Sequence, residues 1–155
     1  MANIEEIKTK SIRIRNKIFS LLESLNLGRF YFECAIIFMK SMMRISYSAE
    51  AYYNLTEVEL REIEKIEEDF LRVLVSTERG CPISQLYFEF GLYPARFEIM
   101  KMKIMFYQYI LKQDEHSLIY LFLKQQKRNP VRGDWHSEIV YIIQYLNLNM
   151  KEDEI

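Results

Sequence analysis

Glycine and proline are scarce, four and three in 155 residues, so the chain has few places to turn and reads as long uninterrupted segments. Cysteine is scarcer. Cys34 and Cys81 cannot build a disulfide framework and do not form a CxxC pair, which fits a reducing compartment. Neither sign of charge dominates. With 21 basic and 22 acidic side chains the formal net charge is −1, which excludes a generic polybasic nucleic-acid binder. Any nucleic-acid contact must come from a local patch. No apolar run approaches the roughly 18 residues that a membrane span needs. The first twenty residues alternate charged and apolar positions, unlike a signal peptide. An intracellular protein of nucleus or cytoplasm, with no membrane partner, is expected.

What is present is apolar. Half the residues are hydrophobic, enough for a core and too many for a disordered chain. The length fits one domain, expected over 1–147, with a polar tail over 148–155. Ile4, Ile7, Ile14, Ile18, Leu21, Leu22 and Leu25 recur at helical spacing and predict a first helix from Ile4 to Leu25, stopped by Gly28. A second, from about Arg29 to Tyr47, is apolar over most of its girth and should be buried on several sides at the centre of the fold.

Thr56 with Glu59 forms a capping box for a third helix, Glu57 to Val75, with Ile63, Ile66, Phe70, Val73 and Leu74 inward. Its outer face is acidic and should be solvated, offset by Arg61, Lys65 and Arg72. A short fourth helix, Ile83 to Phe90, stops at Gly91. A fifth starts near Pro94 and carries Phe97, Met100, Ile104, Tyr107 and Leu111. A sixth covers about Glu115 to Lys127, and Asp134 caps a last helix containing Ile139, Ile142, Ile143 and Leu146. The fold class is therefore all-α, a bundle of about six or seven helices around the second.

Residues that could do chemistry do not converge. His116 and His136 lack partners at metal-ligand spacing, no Gly-rich phosphate loop occurs, and the GxSxG pattern is absent. No catalytic, metal or cofactor site is expected. The one-sided basic stripe Lys10, Arg13 and Lys17 on the first helix is spaced to reach successive phosphates. Its bland counterpart is a solvated polar strip. Lys124, Lys127 and Arg128, with Arg132 nearby, form a second basic cluster that could act similarly.

Several segments together resemble the region downstream of the palm in non-LTR (LINE-type) retrotransposon reverse transcriptases. They begin with Ile12-Arg13-Ile14-Arg15 and Leu27-Gly28-Arg29-Phe30. The pattern L-Y-G-S/A-E-A-W-Y-N-L-T is similar to Ser46-Tyr47-Ser48-Ala49-Glu50-Ala51-Tyr52-Tyr53-Asn54-Leu55-Thr56. Leu71-Arg72 and Leu86-Tyr87-Phe88-Glu89-Phe90-Gly91 follow. Pro94-Ala95-Arg96-Phe97 is similar to the family's P-I/L-R-F/Y, and Asn129-Pro130 and Asp134-Trp135 to its N-P and D-W. The set spans about residues 12 to 136. The resemblance implies a helical thumb and connecting region that grips a template–primer duplex, with Lys10, Arg13 and Lys17 on the duplex side.

The chain contains no Asp-Asp, so the metal-holding pair of such a palm is missing and no nucleotide addition is expected. The resulting expectation is a non-catalytic fragment of an RNA-directed DNA polymerase. Weak binding to the backbone of an RNA–DNA or DNA duplex goes with it. The alternative is a helical protein–protein interaction module with no nucleic-acid role, associating with a palm domain or with itself through exposed apolar surface.

Overall fold

A computed structural model describes residues 4–43, 55–76 and 81–149. Among them the protein is all-α, with seven α-helices and no strand. The helices are α1 (Ile4–Leu25), α2 (Tyr31–Phe38), α3 (Glu57–Leu74), α4 (Ile83–Glu89), α5 (Ala95–Leu111), α6 (Leu118–Arg128) and α7 (Trp135–Tyr145). A 3₁₀ turn, Gly28–Phe30, leads into α2, and a π-helical turn, Met39–Met43, continues it.

The helix ends follow from local chemistry. Thr56 caps α3 reciprocally: its hydroxyl accepts from the Glu59 N–H, and its own N–H donates to Glu59 Oε2 at 2.8 Å. Gly91 takes φ +58° after α4, which lets the Leu92 N–H donate to the Tyr87 carbonyl at 2.8 Å. At the end of α1 the left-handed residue is Asn26 (φ 46°), and Gly28 turns the chain a second time into the 3₁₀ turn. Ser76 and Asn147, both at φ 50°, follow α3 and α7.

The described residues divide into two compact units, 4–43 with 56–76 and 81–98, and 55 with 99–149. In the first, α1 packs on α2, on the π-helical turn and on α3. Ile18 and Leu22 of α1 are buried, and the Phe19 ring stacks on Phe70 of α3 at 5.3 Å. α3 buries Ile63, Phe70, Leu71 and Leu74. Val73, expected inside, is exposed, because the inner face of α3 is rotated toward Leu71.

α2 differs from a fully enclosed helix. Ala35 and, just beyond it, Met39 are buried, while Phe32 and Ile37 are exposed. Its packing covers one side of a helix that is apolar on nearly all sides.

In the second unit, Ile104, Tyr107 and Ile110 of α5 pack with Leu123 of α6 and with Ile139, Ile142 and Ile143 of α7. Trp135 meets Phe106 edge-on at 5.8 Å. Lys103 is also buried here, and its amine forms an ion pair with Glu138. Burial lowers the Lys103 pKa, and Glu138 opposes that shift.

Candidate interaction surface

The acidic face of α3 is engaged rather than simply solvated. Arg96, in the first turn of α5, donates from Nε and Nη2 to the two oxygens of Glu64 at 2.6 and 3.0 Å, and from Nη1 to Glu57 at 3.4 Å. One turn along, Glu67 accepts from the Tyr87 hydroxyl at 3.3 Å and from the backbone N–H of Ala95. Glu64 and Glu67 thus hold the start of α5, where unpaired N–H groups and the helix dipole favour negative charge. Burial pushes the Glu67 carboxyl up to about 7. The charges of Glu98 and Glu64 add to the rise, while Tyr87 and the Ala95 N–H oppose it. Burial also raises the Tyr87 phenol, and the charges of Glu67 and Glu68 add to that. Among the described residues no group of three or more His, Cys, Asp or Glu side chains is placed to hold a metal.

The uncovered side of α2 forms one wall of a groove of about 600 Å³. Phe32, Ile36 and Ile37 line it from α2, Val75 from the end of α3, and Phe90 from the end of α4. The Phe32 and Phe90 rings lie 6.1 Å apart. Glu33 and Glu89, both exposed, stand at the groove and give it an acidic edge. Phe32 keeps 46% of its surface exposed and Ile37 60%. Contiguous exposed apolar surface of this kind is what protein partners cover. A second hollow, about 220 Å³ between α1 and α3, is smaller and lined by mixed charges including Arg15, Glu62, Lys65 and Asp69.

The basic residues singled out in the sequence fall in two places. Lys10, Arg13 and Lys17 share the exposed face of α1. Lys124 and Arg128 are exposed on α6, but Lys127 turns inward, its amine 5.8 Å from the centre of the Tyr107 ring, and burial lowers its pKa. Asp134 works as a helix cap. Its two oxygens accept the N–H groups of Val131 and Ser137 at 2.9 and 2.7 Å, capping α7. Burial raises the Asp134 pKa, but these N–H donors outweigh it and hold the group below the usual carboxylate value.

Sequence reasoning missed both the groove and the Arg96 clamp. The signal for the groove was the all-round hydrophobicity of α2, which fits an open apolar face as well as burial. The Arg96 signal was a lone arginine at a helix start facing a run of glutamates 30 residues earlier, too distant to pair from sequence.

The cyclin family model matches residues 6–75, which cover α1 from its first turn, α2 and α3. No curated protein and no solved structure matches the chain. The cyclin match overturns the resemblance to the reverse transcriptase thumb and connecting region, and with it the reading as an RNA-directed DNA polymerase fragment. The resemblance therefore no longer places Lys10, Arg13 and Lys17 on the side of a template–primer duplex.

The physical reason is visible residue by residue. Thr56 caps α3, Leu71 and Leu86 are core, Gly91 closes α4, Arg96 clamps Glu64, Asn129 ends α6 and Asp134 caps α7. These are general needs of packed, punctuated helices, so their order carries no polymerase chemistry. Residues 46–54, the core of the longest matching pattern, lie outside the described residues.

Proposed function

We propose that the chain is a non-enzymatic, cyclin-like helical protein-interaction module whose partner is the catalytic subunit of a cyclin-dependent kinase. One observation carries the reading: the segment that matches the cyclin model contains the helix whose apolar face is left open as a groove. Partner binding needs such a surface. Exposed Phe32 and Ile37 are the kind of apolar anchors that dominate interface energetics once water is excluded. A stable complex buries on the order of 1,600 Å² in total, so the groove would be the centre of a larger contact. The thiols of Cys34 and Cys81 are free, which suits a reducing intracellular setting.

Calorimetric titration of the pure chain against a panel of purified cyclin-dependent kinases tests the proposal, with peptide phosphorylation as a second readout. Micromolar or tighter binding to one of them, weakened about tenfold or more by Ile37→Asp, is expected. No complex tighter than about 1 mM with any member would sink it.

A further inference from the structure

α6 carries an unpartnered face of its own. Its inner side buries Leu123 and half-buries Ile119, Tyr120, Gln126 and Lys127. The opposite side leaves Leu118 86% exposed and Phe122 57% exposed, with Leu121 beside them. These three stand at i, i+3, i+4 spacing, so they form one apolar strip. The strip ends in two exposed cations, Lys124 and Arg128. The groove of the first unit has the complementary composition, an apolar floor with two exposed carboxylates, Glu33 and Glu89. Among the described residues none of these four charges has an ion-pair partner.

We infer that the groove of one copy receives the α6 face of a second copy, with Leu118, Leu121 and Phe122 on the apolar floor and Lys124 and Arg128 against Glu33 and Glu89. A helix laid by its apolar strip into a hydrophobic groove is a common recognition mode, and here the flanking charges set direction and register. The contact is heterologous, joining different patches of the two copies. It therefore closes into a ring or dimer, or propagates as a chain, according to the rotation between copies. It rests on the reading of the groove as a protein-docking surface, and not on the identity of a kinase partner.

The test is a charge swap followed by light scattering across a concentration series, with circular dichroism to verify helical folding. The unmodified chain is expected to self-associate, more weakly as salt rises. Glu33→Lys with Glu89→Lys puts cations at both surfaces, and Lys124→Glu with Arg128→Glu puts anions at both. Each double variant alone is expected to need about tenfold more protein to associate. Mixed together, the two should associate as the unmodified chain does, because each groove then meets an α6 of opposite sign.

A strictly monomeric unmodified chain overturns the inference, as do double variants that associate normally, or a mixture that fails to recover. Kinase titration of the α6 double variant separates the two proposals, since that variant keeps its groove. In that variant, kinase binding together with weakened self-association supports both. In the unmodified chain, kinase binding without self-association removes only the present inference, and self-association without kinase binding removes only the kinase.

Discussion

Arg96 reaches back 32 residues to hold Glu64 through two parallel N–H···O bonds, 2.6 and 3.0 Å long. The pair is largely shielded, with 22% and 14% of the two side chains exposed, so it should count for more than a surface ion pair. A lysine at this position cannot reproduce the fork. Arg96→Lys is expected to lower stability by about 1–2 kcal/mol in urea titration. An unchanged midpoint would show that the clamp is ornamental.

Glu67 predicts a pH dependence with a definite sign. Its folded pKa, about 7, lies above the ordinary 4.5. The stability linked to this group is therefore fully present below about pH 4.5 and is lost as pH rises toward 7. The total change is on the order of 3 kcal/mol. Glu67→Gln keeps an acceptor for Tyr87 and Ala95 without a charge, so it should flatten the slope and leave the protein more stable at pH 8. Denaturant unfolding at half-unit pH steps measures both. A slope that survives in Glu67→Gln would assign it to another group.

Lys103 and Glu138 make the opposite kind of test, a buried lysine paired with a partly exposed glutamate, whose removal together should be mild. Glu138→Leu leaves the Lys103 ammonium buried without its partner and is expected to cost about 3–5 kcal/mol. Lys103→Met combined with Glu138→Leu should fall within about 1 kcal/mol of the unmodified protein, because Glu138 Oε2 already lacks a hydrogen-bond partner. Thermal melts of the single and double variants decide it. A double variant as unstable as the single would show that the pair itself holds the second unit together.

Asp134→Ala removes acceptors from two backbone N–H groups at once, so a loss of about 1–2 kcal/mol is expected. The folded pKa of Asp134 is lowered, so its contribution is present above the ordinary 3.8 and fades as pH falls below it. The acid limb of the unfolding curve should therefore move to higher pH in Asp134→Asn. No shift of that limb would mean that the cap is not ionised in the native state.

Much of this fold was legible because helix ends have local causes. The capping box at Thr56 and Glu59, the stop at Gly91 and the cap at Asp134 all lie within a few residues of what they fix. The hydrophobic stripe of α1 likewise puts Ile18 and Leu22 inward and Lys10, Arg13 and Lys17 outward. The candidate site was not legible, because it depends on what fails to pack. Nothing in the composition of α2 says that Ala35 is covered and Ile37 is not. Buried Lys103 was missed for a related reason: its partner Glu138 is 35 residues away on another helix.

The serine that follows α3 offers a lever. Ser76 holds φ 50°, a backbone state that a side chain with a Cβ adopts at a cost of roughly 1 kcal/mol and that glycine adopts freely. Ser76→Gly should therefore relax the helix terminus and raise the melting temperature by a few degrees, while leaving Phe32, Ile37 and the acidic rim as they are. A sturdier parent of that kind would tolerate the charge reversals and core truncations that would otherwise bring a chain of this size close to unfolding.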